Sequence, residues 1–232
     1  MNQILLYWGS RPLTIKENSI QTIEFLKRFQ KLTGITIFSL YGKEKLDLNN
    51  IIESSKILIN WQIQQVKRID KITVNENYNQ FTSSQYSIHS DGKWHFENPE
   101  CIVFQFAIGS SHSETGNSLS IKGKYLEKLN IPQIFKFCIL FYYPDWGVIS
   151  DYEIYKNQKI SDYFTGWMTY FSNKKDIPLI PKKFNIEKVE NLGIIVKSTD
   201  EVFKVNNEMH LKLAMELYSY FKDRNLNIQK SP

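Results

Sequence analysis

The sequence predicts an α+β fold: a single domain over residues 1–232, with a mixed, mostly antiparallel sheet and helices packed on one face. Three observations carry this. The first 70 residues alternate between strand-like apolar runs and helix-like periodicity. Short β-prone runs separated by turn residues then follow one another through the middle. An amphipathic stretch closes the chain. At 232 residues, 42% hydrophobic and 23% charged, the chain has the size and composition to bury a sizeable core, and broad disorder is excluded.

Residues 4–7 form an apolar run expected as a buried strand, closed by Gly9 and Pro12. Thr14-Ile15-Lys16-Glu17 has the form of a capping box, in which hydroxyl and carboxylate each satisfy a free backbone N–H. The helix it opens runs to about Leu32. It turns Ile23, Phe25, Leu26, Phe29 and Leu32 inward, leaves Glu24 and Arg28 as an i,i+4 pair, and ends at Gly34. Residues 35–41 predict a second strand. Ile51, Ile52, Ser55, Ile59, Ile63 and Val66 space a second helix over 48–66, and the Asn-rich stretch 70–84 reads as a surface connection.

Residues 86–96 predict a hairpin about the two-residue turn Asp91-Gly92. Further strands are expected at 102–108, 118–122, 135–143, 147–155 and 193–197. Asn206 or Asn207 should cap a last helix to about Lys222, with His210, Leu213, Ala214, Leu217 and Phe221 inward. The last few residues are expected to be disordered.

Net charge is +5, spread as +4 over residues 1–80, −2 over 81–170 and +3 over 171–232. No run of five or six like charges marks a nucleic-acid tail, so a nucleic-acid partner is disfavoured. The N-terminus lacks the basic start of a signal peptide, and no stretch approaches the roughly 20 apolar residues of a membrane span. Cys101 and Cys138 lie in apolar runs without metal spacing, which predicts reduced core thiols and a cytoplasmic location.

Signatures for phosphate loops, dinucleotides, metals and nucleophile elbows are missing, so neither metal nor cofactor is expected and no catalytic residue is assigned. Ser111, His112 and Glu114 crowd one loop, but a triad needs residues held by separate elements. The Asp91-Gly92 register sets His89 opposite Trp94 and Ile88 opposite His95, so the two imidazoles point to opposite faces and cannot share an ion. His210, on an apolar helix face, reads as a hydrogen-bonded structural histidine.

The most unusual segment is 141–170, with ten aromatic residues, and four acids against Lys156 and Lys159. Amphipathic rings bind at low rotamer cost, and carboxylates beside them steer a basic partner. Phe141, Phe164 and Trp167 are expected in the core. Tyr142, Tyr143, Asp145, Trp146, Asp151 and Tyr152 are the candidate exposed contacts for a partner protein.

Three ordered stretches resemble one family. Tyr7-Trp8-Gly9-Ser10-Arg11, followed at once by a capped helix, looks like the Trp-Gly-Pro-Arg opening of the immunity protein 52 family, with Ser10 in place of Pro. Gly166-Trp167-Met168-Thr169-Tyr170 is similar to its late Gly-Trp-x-Thr-Tyr segment. Gly193-Ile194-Ile195-Val196, then Phe203, Asn206 and the His210 helix, resembles its closing strand and helix. Residues 45–140 carry nothing that aligns.

The resemblance implies a bacterial immunity protein of a polymorphic-toxin or type VI secretion system, an antitoxin and not an enzyme. Its partner would be a cognate toxin, of the restriction-endonuclease type usual for the family. Trp8, Gly9, Arg11, Trp167, Tyr170, Gly193 and His210 carry over as fold-defining residues. A small motif-free hydrolase or transferase is the alternative, and a nucleic-acid-binding protein a weaker one.

Overall fold

A computed structural model describes residues 2–80, 83–90, 101–112, 115–151, 153–154, 158, 165–173 and 179–222. In chain order the elements are β1 (Asn2–Trp8), α1 (Ile15–Thr33), β2 (Phe38–Leu40), β3 (Glu44–Leu46), α2 (Ile51–Asp70), β4 (Ser84–Ser90), β5 (Val103–Ile108), β6 (Asn117–Lys122), a 3-10 turn (Lys124–Lys128), α3 (Ile131–Tyr142), β7 (Trp146–Asp151), β8 (Met168–Ser172), β9 (Asn185–Val189), β10 (Gly193–Lys197) and α4 (Glu208–Lys222). The α+β class with antiparallel strand pairing holds. Backbone contacts divide the chain into two compact units, residues 9–129 and residues 1–8 with 130–232.

In the unit of residues 9–129, the capping box forms as the sequence predicts. Thr14 accepts from the Glu17 N–H, and the Glu17 carboxylate accepts from the Thr14 N–H at 2.8 Å. Gly34 closes α1 in the left-handed conformation, φ 76°. Five strands run in the order β3-β2-β4-β5-β6, each pair antiparallel. Both helices lie on one face of them: Phe25 and Phe29 of α1 meet Phe104 and Phe106 of β5, and Trp61 of α2 meets Tyr86 of β4. Beneath the helices runs a layer of buried polar side chains: Asn18, Ser19, Thr22, Gln62, Gln80 and Ser84.

The hairpin expected at 86–96 does not form in the predicted register. His89 pairs with Ser39 on one side and Val103 on the other, so both edges of β4 are taken there. Residues 91–100, which include the Asp91-Gly92 turn, Trp94 and His95, lie outside the described residues. So do residues 223–232, on which the expectation of terminal disorder falls.

In the other unit the order is β1-β7-β8-β10-β9, again antiparallel throughout. The strand expected at 135–143 is instead the helix α3. Its buried residues Ile131, Ile134, Phe135, Cys138, Ile139 and Tyr142 follow helical spacing, and Asn130 caps it with Pro132 in the first turn. A continuous apolar run has no period of its own, so the deciding signal was the cap upstream. The ring of Phe135 packs over Gly147, while Leu217 and Phe221 of α4 pack with Trp146, Val148, Phe171 and Val196, which point the other way. The one-face arrangement thus describes the unit of residues 9–129; here the strands are covered on both sides.

Candidate partner-binding surfaces

The aromatic-acidic segment is mostly interior. Trp146 (4% exposed) and Tyr142 (2%) are core rings, and Asp151 is buried at the end of β7. Tyr142 stacks on Trp8 at 5.1 Å, and Trp146 lies 5.3 Å from Tyr7. The expectation that Tyr142, Trp146 and Asp151 are exposed therefore fails. Their alternating strand and helix positions point inward, which ring counting along the chain does not register. Of the six, Tyr143 is exposed, at 51% and φ 47° as the left-handed cap of α3, and Asp145 is half-buried beside it. Tyr152 lies outside the described residues, as do Tyr155, Tyr163 and Phe164.

Of the residues singled out by resemblance, Trp8, Gly166, Trp167, Tyr170, Gly193 and His210 are buried. A methyl at Gly166 would stand 2.1 Å from the Ile149 carbonyl oxygen and one at Gly193 2.0 Å from that of Phe171, so neighbouring backbone leaves room only for glycine. Tyr170 is buried and donates its hydroxyl to the Leu192 carbonyl at 3.0 Å; the Trp167 indole donates to Thr199. His210 is buried, accepts at Nδ1 from the Lys204 N–H, and faces the Glu201 carboxylate through Nε2 at 3.2 Å. Trp167 and His210 together pin the segment that joins β10 to α4. Trp8 is buried, Arg11 is half-buried, and the Gly9 carbonyl accepts from Asn117 at 2.7 Å.

The loop suspected of hydrolase chemistry is tied into backbone. The Ser111 hydroxyl donates to the Gln80 carbonyl at 2.7 Å, and the His112 carbonyl accepts from Thr115; Glu114 lies outside the described residues. Sequence reasoning did not find the pair Ser87 and His89, two apart on β4, with Oγ 2.9 Å from Nε2. Burial lowers the His89 pKa, because it disfavours the charged ring. Among the described residues no group of three His, Cys, Asp or Glu could hold a metal, and no helix is long and apolar enough to cross a membrane.

A feature that sequence reasoning missed is a cleft of about 720 Å³ in the unit of residues 9–129. Tyr41, Trp61, Val66 and Ile69 supply its apolar walls, Gln62, Gln80 and Ser84 its floor, and Arg68 its cationic end. Trp61 is half-buried between Tyr41, at 5.3 Å, and Tyr86. The Arg68 guanidinium donates to Gln65 at 2.6 Å. The Tyr41 hydroxyl donates to the Gln85 carbonyl at 3.4 Å; burial raises its pKa, and the nearby Arg68 charge partly opposes this. These residues come from the turn after β2, from α2, from the connection 70–84 and from β4, so no local motif could announce them.

No curated protein matches this sequence. The fold is similar to that of a solved structure of the Pseudomonas aeruginosa T6SS protein PA0821, with a TM-score of 0.55 at 10% identity, covering 95% of this chain and 75% of that one. The likeness shows a shared architecture. The model of the immunity protein 52 family matches residues 57–226. That span holds Trp167, Tyr170, Gly193 and His210, and begins within the stretch where the sequence offered nothing to align; Trp8, Gly9 and Arg11 precede it. With most of its length matched, this chain belongs to the immunity protein 52 family.

Proposed function

We propose that the chain neutralises a cognate secreted toxin by tight, stoichiometric binding and performs no chemistry of its own. The observation that carries this is the family match over residues 57–226. The Ser111 hydroxyl, the nucleophile that a hydrolase reading would need, donates to the Gln80 carbonyl, which supports the proposal. The family resemblance points to a nuclease of restriction-endonuclease type, met in the cytoplasm of the producing cell. A net charge of +5 is the wrong sign for imitating DNA, so shape and a few local charges must supply recognition.

Protection against a toxin lethal at few copies calls for nanomolar affinity or better, on the order of −12 kcal/mol, and an interface of about 1,600 Å². The test titrates the purified chain with a catalytically inactivated toxin domain encoded beside it. A one-to-one nanomolar complex is expected. Absence of a complex, or turnover of a small substrate by the chain alone, overturns the proposal. Of the aromatic-acidic segment, Tyr143 and Asp145 are the members we propose as contacts. Tyr143→Ala with Asp145→Lys tests them; undiminished protection of cells removes that turn from the interface.

A further inference from the structure

Resting on that binding role, we infer that the cleft at the C-terminal end of α2 docks the toxin, gripping a loop that presents an acidic side chain next to an apolar one. Exposed aliphatic residues are ordinary when scattered. Here Ile69, 66% exposed, and Tyr41, 41% exposed, share one depression with Trp61 and Arg68. Trp, Tyr and Arg around a recess are the composition from which interfaces draw most of their affinity.

Charge selects the partner. Arg68 and Asp70 both line the cleft, and Lys67 and Lys71, exposed on the last turn and cap of α2 outside that lining, leave its surroundings with two more cations than anions. Cations at a helix C-terminus also answer its dipole. Arg68, however, is turned along the cleft by its bond to Gln65, close enough for its charge to reach the Tyr41 hydroxyl. A carboxylate entering there gains a forked donor, and an apolar neighbour on the same loop gains the Trp61 and Ile69 wall.

The floor is already set. Gln62 accepts from Ser84 at 2.6 Å and Gln80 at 3.2 Å, and donates to Ser19 at 2.8 Å. The floor of the cleft is therefore held in place without a partner.

The test titrates full-length variants against the same inactivated toxin domain. Arg68→Glu and Trp61→Ala should each weaken the complex by at least ~30-fold. Lys56→Glu, on the exposed N-terminal part of α2, should change it by less than ~3-fold. No complex with the wild-type chain means that the immunity role itself fails. A tight wild-type complex that Arg68→Glu and Trp61→Ala leave intact overturns the cleft alone. If Trp61→Ala unfolds, Arg68→Glu and Ile69→Asp, both at exposed positions, decide the matter. Duplex DNA competing for the cleft, or self-association lost on Arg68→Glu, also overturns the assignment.

Discussion

Gly193 opens β10 opposite Ser172 of β8. A methyl on its Cα would stand 2.0 Å from the Phe171 carbonyl oxygen and 3.0 Å from the Ser172 Cα, where ordinary contact begins near 3.4 Å. Both neighbours are backbone and cannot rotate away, so the strands must part by more than an ångström. The Asn173 N–H to Leu192 carbonyl bond, 2.8 Å long, spans this corner and would stretch. One or two weakened ladder bonds cost about 1 kcal/mol each, and overpacking adds about 1–3 kcal/mol. The lower backbone entropy of alanine returns about 0.5–1 kcal/mol. We predict a net loss of about 2–4 kcal/mol for Gly193→Ala. Gly34→Ala provides the comparison, because nothing lies within 4 Å of that site and only its φ of +76° is penalised, by about 1–2 kcal/mol. Urea unfolding followed by tryptophan fluorescence and far-UV circular dichroism measures both variants. A loss at Gly193 no larger than that at Gly34 would refute the steric account of this family glycine.

Three further outcomes follow from the same geometry. Tyr170→Phe deletes the donor to the Leu192 carbonyl and should cost about 1–2 kcal/mol, seen as a lower thermal midpoint with the far-UV spectrum unchanged; an unshifted midpoint contradicts it. Asn18→Leu should cost about 3 kcal/mol in chemical denaturation, because it strips partners from the Ile108 carbonyl and from the Gln62 and Tyr86 side chains; wild-type stability would show that the layer tolerates an apolar replacement. Burial alone would raise the Glu187 pKa, but bonds from Lys136 and Lys197, with their charges, outweigh it and hold it below the usual value. A depressed carboxylate stabilises the folded state above its unfolded pKa and loses that contribution as pH falls through the folded one. Wild type should therefore exceed Glu187→Gln at pH 7 and converge with it below about pH 4, and a difference that persists in acid counts against the ion pairs.

The parts of this structure legible in the sequence are those specified locally. Thr14, Glu17 and Gly34 announce both ends of α1, because caps act through neighbouring backbone groups alone. Helix α4 and strand β10 show through their own periodicity. In α3 the residues from Phe137 to Tyr142 form a run without polar interruption, where helix and strand read alike. The strands β3, β8 and β9 are missing from the sequence reading; β3 is held by pairing with β2, and β8 and β9 flank β10 on either side. Ring content along 141–170 suggested a surface, yet the register Tyr7 to Trp146 and Trp146 to Phe171 sets that indole under α4. The cleft was invisible because Tyr41, Trp61, Arg68 and Gln85 meet only once the chain has folded.

The buried amides beneath the cleft link folding to binding in a way that an apolar core could not. Hydrophobic contacts are non-directional, so an all-apolar layer between α1, α2 and β4 would settle at whatever spacing packs most tightly. Asn18, Gln62 and Gln80 instead impose fixed donor–acceptor lengths, and each bond that fails to form leaves a dehydrated polar group behind. The spacing of the helices, and with it the distance from Trp61 to Gln80 across the cleft, is thereby set by chemistry that tolerates little drift. Replacing the layer as a whole by well-packed apolar residues would cost little or nothing in stability, and its retention fits a surface whose shape matters more than the last increment of stability. Concerted replacement of these amides and their partners by apolar residues, which unlike Asn18→Leu alone orphans no polar side chain, should then damage partner binding before it damages the fold.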